Sequence, residues 1–295
     1  PMGRNIMVAR PGTSAPRVLE HAALWNFQPV WSPGAKRIAY TSSLDGGLQR
    51  RLVVHNLETG EETAYGGGKP GLLHPSWLPN TDFLRDDNLL SGVDRDALAA
   101  DLANGGFWAT ALVDTPAGLR SDIVIVGKSR ILPLLQLVRG ETTKYAALHP
   151  TPDPKGRRLA FESNDGGDRE IFILGNKGIT DVSNHRAADW NPVWSPNGRQ
   201  IAFESFRSGR RGLYRLFADR PHIFPVSAAT DHDAWQPAWA HDNNWLAFLT
   251  NQQGHADIVL YSIQDDRSIS LTELIDLPLR TRHSPAWRPS PSESE

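Results

Sequence analysis

A pattern of apolar and polar positions, eleven residues long, returns four times along the chain. The four copies are Val30–Tyr40 (VWSPGAKRIAY), Thr151–Phe161 (TPDPKGRRLAF), Val193–Phe203 (VWSPNGRQIAF) and Ala238–Phe248 (AWAHDNNWLAF). Two shorter copies stand at Ser76–Asn80 (SWLPN) and Ala286–Pro289 (AWRP). Regular recurrence of this kind indicates a solenoid, a propeller or an array of repeats.

Each copy predicts a strand, a tight turn and a second strand. Ser-Pro-Asn-Gly is turn chemistry, since Pro presets φ and Gly supplies a positive φ, and the alternation in Arg-Gln-Ile-Ala-Phe is typical of a half-buried strand. Third strands are predicted at Glu170–Leu174 and Asp257–Ser262, and short fourth strands at Thr180–Ser183 and Ser268–Thr272. Four antiparallel strands per repeat make one propeller blade.

The spacing of the repeated Trp predicts the number of blades. Four of the five intervals are between 42 and 48 residues, and the fifth, from Trp77 to Pro152, is 75. We therefore predict an all-β, six-bladed propeller of four-stranded blades that occupies residues 1–295 as a single domain.

The long interval and the chain ends refine this prediction. We place a partly helical insertion at about residues 78–106, in the second blade, with a helix near Asp94–Ala103 capped by Asp94 or Asp96. We expect it to protrude as a largely independent element on the face of the ring opposite the loops that enter the first strands. Strands at Asn5–Ala9 and Arg17–Glu20 are expected to join the blade that Trp287 begins and so close the ring.

The repeat resembles that of TolB-like propellers over the whole chain. The features that carry this resemblance are the Pro-x-Trp-Ser-Pro-(Asp/Asn)-Gly-(Lys/Arg) core, the Ile-Ala-Phe strand and a final Pro-Ala-Trp. The resemblance implies a six-bladed propeller and favours a periplasmic or extracytoplasmic location. TolB proteins also carry an α/β domain ahead of the propeller, to which no part of this sequence corresponds, and the insertion is foreign to the plain repeat.

Composition excludes several classes of function. The formal net charge of −2 argues against a dedicated nucleic-acid binder. No apolar run approaches 18 residues, so no membrane span is expected, and the start, Pro-Met-Gly-Arg, is not a signal peptide. Without cysteine there are no disulfides, thiolate metal sites or Cys nucleophiles. Gly66–Gly71 matches a dinucleotide fingerprint, but no helix is predicted after it, so no cofactor is predicted.

Polar residues recur immediately before the repeated Pro, where the chain enters the first strand of each blade. They are Gln28, His74, His149, Asn191, Gln236 and Ser284. Because the first strand is innermost in a propeller, we expect these residues to form a ring at one mouth of the channel. The candidate binding residues are Gln28, His74, His149, Asp189, Trp190, Asn191, Trp235, Gln236 and His283.

Three functions are compatible with this surface. The first is a non-catalytic scaffold that binds a protein or peptide at the channel mouth, with Trp25, Trp190 and Trp235 as anchors. The second is a metal-dependent hydrolase or lyase that uses channel histidines, although His74 and His149 lack an evident third ligand and no metal site is predicted. The third is the accessory propeller of a larger protein. Alternatively, the polar ring only holds channel water and neighbouring backbone.

A basic cluster adds one further possibility. Arg207, Arg210, Arg211 and Arg215 lie close together on one predicted hairpin. They are explained either by a solvated hairpin or by a site for an anion or an acidic protein. The sequence predicts neither the oligomeric state nor the identity of a partner.

Overall fold

A computed structural model describes residues 5–8, 17–19, 25–85, 90, 92–115, 118–134, 146–226, 232–251, 256–271 and 285–288. The repeated pattern folds as expected in its four full copies, because each of them forms two antiparallel strands joined by a tight turn. Each first strand contacts the first strand of the next repeat, which places the first strands innermost. The molecule is therefore an all-β propeller.

Five blades, each an antiparallel sheet of four strands, are present in the described residues. Blade 1 contains β3 (Trp25–Trp31), β4 (Arg37–Ser43), β5 (Arg51–Asn56) and β6 (Glu62–Ala64). Blade 2 contains β7 (Leu72–Trp77), β8 (Phe107–Thr115), β9 (Gly118–Val126) and β10 (Ile131–Pro133). Blade 3 contains β11 (Ala147–Pro152), β12 (Leu159–Ser163), β13 (Glu170–Gly175) and β14 (Gly178–Asp181). Blade 4 contains β15 (Asp189–Trp194), β16 (Gln200–Ser205), β17 (Gly212–Phe217) and β18 (Arg220–Pro225). Blade 5 contains β19 (Ala234–Trp239), β20 (Trp245–Thr250), β21 (Asp257–Ser262) and β22 (Arg267–Ser270).

The prediction of six blades is wrong, because the part of the chain that the structure describes contains five four-stranded sheets. Of the segments assigned to a sixth blade, β1 (Met7–Val8) and β2 (Arg17–Val18) form a two-stranded sheet. Trp287 lies outside any strand. The miscount has a physical cause: the repeated Trp marks the first strand of a blade and carries no information about its three partner strands.

The chain ends nevertheless contact the ring. Ile6 and Leu19, beside β1 and β2, pack against Ile38 and Tyr40 of blade 1. Near the other end, Trp287 Nε1–H donates to Ala238 O of blade 5 at 3.1 Å. The guanidinium of Arg288, the next residue, lies 5.6 Å from the ring centre of Trp31 in blade 1. The C-terminal segment therefore contacts both the first and the last blade, while closure of the ring by the N-terminal strands stays a prediction.

The repeated Trp residues join neighbouring blades by one shared hydrogen bond. The indole N–H of each donates to a backbone carbonyl in the first strand of the preceding blade: Trp77 to Val30 at 3.2 Å, Trp194 to Thr151 at 3.0 Å and Trp239 to Val193 at 3.2 Å. The three side chains are buried. These three Trp residues therefore pack neighbouring blades against each other.

Residues 78–106 connect the first and second strands of blade 2. The predicted helix is present as α1 (Arg95–Leu102), and Asp94 caps it by accepting from the Ala97 N–H at 3.0 Å. Leu98 and Leu102 of this helix belong to a buried cluster that also contains Trp108 and Phe161 of blades 2 and 3. The expectation of a largely independent insertion is therefore wrong, because its apolar side chains form part of the core between two blades.

No helix in the described part of the chain is long and apolar enough to span a membrane.

Candidate binding surface at the channel mouth

The mouth is the end of the propeller at which the first strand of each blade begins. There the polar residue before the repeated Pro has a left-handed backbone in all five blades, with φ of 54° at Gln28, 50° at His74, 49° at His149, 52° at Asn191 and 54° at Gln236. The strand register shifts at this residue in every blade, which defines a β-bulge. A left-handed conformation costs a non-glycine residue about 1–2 kcal/mol, and bulges reorient side chains.

Side chains of the preceding blade bind the backbone N–H of these bulge residues. His74 N–H donates to Gln28 Oε1 at 3.0 Å, and His149 N–H donates to Thr110 Oγ1 at 3.2 Å. Asn191 N–H donates to Glu162 Oε2 at 2.9 Å, and Gln236 N–H donates to Glu204 Oε1 at 2.7 Å. The ring of half-buried polar residues is thus held by hydrogen bonds that pass from blade to blade.

Thr110, Glu162 and Glu204 occupy equivalent positions in the second strands of their blades. Each pairs with the residue that precedes the bulge, at Leu73, Leu148 and Trp190 respectively, and all three are fully buried. The same position holds Thr41 in blade 1 and Leu249 in blade 5. A buried carboxylate must be paired with a cation or with several donors.

Two arginines pair with these carboxylates. Arg169 Nη1 lies 3.2 Å from Glu162 Oε1, and Arg211 Nε lies 2.6 Å from Glu204 Oε2. Burial alone would raise the pKa of Glu162, but His149, Arg169 and the Asn191 N–H hold it below its ordinary value. Glu162 is therefore an anion at neutral pH.

Arg169 and Arg211 share their position with Arg50 of blade 1. Each arginine comes directly before the third strand of its blade, and its backbone carbonyl accepts a hydrogen bond from the first residue of the next blade. The donors are Leu72 N–H to Arg50 O at 3.0 Å, Asp189 N–H to Arg169 O at 2.6 Å and Ala234 N–H to Arg211 O at 2.8 Å. These backbone bonds fix the three arginines at the mouth.

His74 and His149 stack on one another in neighbouring blades, with ring centres 3.4 Å apart and planes inclined by 35°. His74 Nδ1 lies 3.3 Å from Thr110 Oγ1, while His149 Nδ1 lies 3.0 Å from Glu162 Oε1 without hydrogen-bonding geometry. Burial, then His149, Arg50 and Arg169, lower the pKa of His74 well below its ordinary value. The His74 imidazole is therefore neutral at neutral pH. No cluster of three His, Asp or Glu side chains suited to a metal ion occurs in the described ranges.

Aromatic and apolar side chains surround the arginines. The Arg211 guanidinium lies 5.8 Å from the ring centre of Trp190 and 5.6 Å from that of Trp235. The ring of Phe206 packs against that of Trp190 with ring centres 5.2 Å apart, and the Phe206 side chain is 45% exposed. In blade 1 the Arg50 guanidinium lies 3.7 Å from the Phe27 ring centre.

Two exposed leucines extend this apolar surface. Leu44 and Leu48 follow β4 in the loop at the same end of the propeller, and they are 81% and 54% exposed. Isolated exposed leucines are common, but several apolar side chains beside aromatic residues and arginines are typical of a binding surface.

A buried pair of carboxyl groups joins blades 3 and 4 beneath the mouth. Glu170 begins β13 and Asp189 begins β15, and the two carboxyl groups interact electrostatically. Burial raises the pKa of Glu170 to about 7, with a further contribution from Asp189. Burial also raises the pKa of Asp189, although Arg207 Nη2 lies 2.6 Å from its Oδ2.

Most of the candidate residues meet at this mouth. Gln28, His74, His149, Asn191 and Gln236 form the predicted ring, with Trp190 and Trp235 beside it, while Asp189 is fully buried. His283 and Ser284 lie outside the described residues. The predicted arginine cluster is divided: Arg207 and Arg211 pair with buried acids at the mouth, whereas Arg215 donates to Gln200 Oε1 at 2.7 Å along β17.

Sequence reasoning missed Glu162, Glu204 and the shared role of Arg169 and Arg211. One signal was available: both blades carry Phe-Glu-Ser with an Arg seven residues after the Glu, as Glu162 with Arg169 and Glu204 with Arg211. An acidic residue at the same position in two strands that are otherwise apolar indicates a buried, paired carboxylate.

The family follows from comparison with known proteins. The family model of the TolB beta propeller domain matches residues 137–292, more than half of the chain, and the chain belongs to this family. The structure is similar to TolB from Acinetobacter baumannii, with a TM-score of 0.70 and 16% identity over 97% of this chain and 63% of that protein. It is also similar to a putative TolB from Agrobacterium tumefaciens, with a TM-score of 0.62 and 14% identity over 87% of this chain and 84% of that one.

A propeller within a larger enzyme matches as well. The tricorn protease gives a TM-score of 0.59 and 14% identity over 92% of this chain and 24% of that protein. Comparison of the sequence with curated proteins finds no match. At these sequence identities the structural similarities establish the fold alone, so the function has to be inferred from the side chains on the surface of this chain.

Proposed function

We propose that this propeller is a non-catalytic scaffold that binds a protein or peptide at the channel mouth. The observation that carries the proposal is the group of exposed and half-exposed apolar side chains at the mouth, above all Phe206, Trp190 and Trp235 around Arg211. Aromatic residues and arginine are the residue types that dominate binding energy in protein interfaces.

The rigidity of the mouth supports this function. The bulge residues are fixed by hydrogen bonds from the preceding blade, and the arginines are fixed by backbone bonds to the next blade. A surface that is ordered before binding loses little conformational entropy when a partner docks.

A hydrolase or lyase that uses channel histidines is supported less well. Such an enzyme needs at least a third metal ligand, and the stacked His74 and His149 have no suitable third group in the described part of the chain. A stoichiometric metal that disappears from a His74→Ala/His149→Ala variant would support this alternative.

The test is a selection of random dodecapeptides, displayed on phage as C-terminal fusions with free C-termini, on the immobilised chain. We expect an enriched set of peptides whose affinity falls when Phe206 is changed to Ser or Trp235 to Ala. A hot-spot Trp contributes about 2 kcal/mol or more, which corresponds to roughly thirty-fold in Kd. Thermal melts of each variant separate lost contacts from lost folding.

Phe217 provides a matched control for this experiment. It is 39% exposed and ends β17 at the opposite end of the propeller, so Phe217→Ser should leave binding unchanged. If no peptide is enriched over a parallel selection on the heat-unfolded chain, the proposal is wrong. Equal loss of binding in Phe217→Ser and Phe206→Ser would place the binding surface elsewhere.

A further inference from the structure

Two arginines of the mouth are only partly used within the protein. Arg211 contacts Glu204 through Nε, and Arg169 contacts Glu162 through Nη1. Among the described residues, neither the two Nη groups of Arg211 nor the Nε and Nη2 of Arg169 has a hydrogen-bond partner. The two side chains are 31% and 43% exposed, so these donors reach the solvent at the mouth.

The two guanidinium groups are held in place before any ligand arrives. Each pairs at one edge with a fully buried glutamate, and each belongs to a residue whose carbonyl is bonded to the next blade. An oriented guanidinium presents a planar fork of N–H donors that matches a carboxylate. The open donors therefore form a preorganised site for an acidic group.

The charge balance of the site selects among anions. The buried Glu162 and Glu204 offset the charges of Arg169 and Arg211, so the site as a whole is close to neutral. A dianionic phosphate or a nucleic-acid backbone needs an excess of positive charge, whereas a monoanionic carboxylate needs mainly oriented donors.

We infer that the mouth recognises a peptide carboxylate, received by Arg169 and Arg211, next to an apolar side chain that packs on Trp190, Trp235 and Phe206. This inference rests on the proposed function and specifies the chemistry of its ligand. Carboxylates of two sources fit the site, namely an Asp or Glu side chain and the free C-terminus of a chain.

The experiment uses the dodecapeptides selected on the full chain by phage display with free C-termini, resynthesised with a fluorophore and measured by fluorescence anisotropy. Peptides in which each Asp and Glu is changed to its amide, and peptides with an amidated C-terminus, distinguish the two sources. We expect one of these changes to weaken binding by about ten-fold to a hundred-fold, as for the loss of a charge-assisted hydrogen bond. Raising the salt concentration should weaken binding of the acidic form more than that of its amide form.

The matching protein variants must not leave a buried glutamate without a partner. We therefore use the double changes Glu204→Gln/Arg211→Gln and Glu162→Gln/Arg169→Gln, in which Gln keeps an acceptor for the bulge N–H of the next blade. Each should weaken binding of the acidic peptide about ten-fold or more and should leave binding of the amide form unchanged. Arg220, exposed on the outer strand of blade 4, is the control, and Arg220→Gln should bind like the wild type.

The outcomes separate this inference from the proposed function. Peptides that lose affinity with Phe206→Ser but bind equally well to both double variants would overturn carboxylate recognition and leave the binding scaffold intact. Peptides that tolerate both amide changes would overturn it as well. A selection that enriches no peptide would overturn the proposed function, and with it the carboxylate assignment.

Discussion

Glu204 offers the sharpest test of the hydrogen-bond network that shapes the mouth. Its fully buried carboxylate accepts from the Gln236 N–H at 2.7 Å, from Asn191 Nδ2 at 2.5 Å and from Arg211 Nε at 2.6 Å. Replacing Glu204 by Ala removes both acceptor oxygens, and with them all three hydrogen bonds, and leaves a cavity. We expect a loss of stability of about 3 kcal/mol, at the lower end of the range for a broken buried ion pair because Arg211 reaches the solvent.

The assay is reversible thermal or urea unfolding monitored by tryptophan fluorescence and circular dichroism. With about 2.1 cal/mol/K of unfolding entropy per residue, a loss of about 3 kcal/mol corresponds to a fall in Tm of about 5 °C for a chain of this length. Two further variants separate the causes. Glu204→Gln keeps a carbonyl acceptor and should lose about 1–2 kcal/mol less than the Ala variant.

Glu204→Leu fills the space without an acceptor, as Leu249 does at the same position of blade 5. It should be less stable than Glu204→Gln, because the hydrogen bonds matter more than the filled volume. If the Leu variant melts at or above the wild-type temperature, the reasoning is refuted, and the network has no net stabilising effect.

Three other changes test separate parts of the structure. Burial raises the pKa of Glu170 to about 7, so the wild type should lose stability as pH rises from about 4.5 to 7. Glu170→Gln should flatten this pH dependence. A wild-type stability profile as flat as that of the variant would contradict the raised pKa. Trp239→Phe should cost about 1 kcal/mol or more by losing the indole bond to Val193 O, as measured by urea unfolding, and no loss would show that this bond between blades is not stabilising. Leu98→Ala should lower the free energy of unfolding by about 2–4 kcal/mol, whereas Ala99→Ser on the exposed side of the helix should leave it nearly unchanged. If the two variants are equally stable, the helix does not form part of the core between blades 2 and 3.

The fold class was predictable from the sequence because each repeat specifies its own local structure. Turn residues, alternating strands and a Trp at a fixed position are all local signals, and the first strands of all five blades lie where the pattern predicts them. The number of complete blades was not predictable in this way. It depends on pairing between strands that are far apart in sequence, which the pattern around Trp287 does not encode.

The site was predictable only in part for a similar reason. Alternation along the first strand identified Gln28, His74, His149, Asn191 and Gln236 as one set, and the structure gives all five the same left-handed bulge. The groups that hold them belong to the preceding blade, so no local pattern connects Glu162 with Asn191 or Glu204 with Gln236. Likewise, the buried apolar side of the insertion is visible only where Leu98 and Leu102 meet blades 2 and 3.

The central claim, that the mouth is the binding surface, is tested most directly by hydrogen–deuterium exchange of the full chain with and without a selected peptide. We predict that the peptide slows amide exchange in residues 44–50 and 206–211, the loops that carry Leu44, Leu48 and Phe206. The turns at the opposite end, residues 33–36, 154–157 and 196–199, should exchange at the same rate in both samples. Protection of those turns with unchanged exchange at the mouth loops would contradict the account.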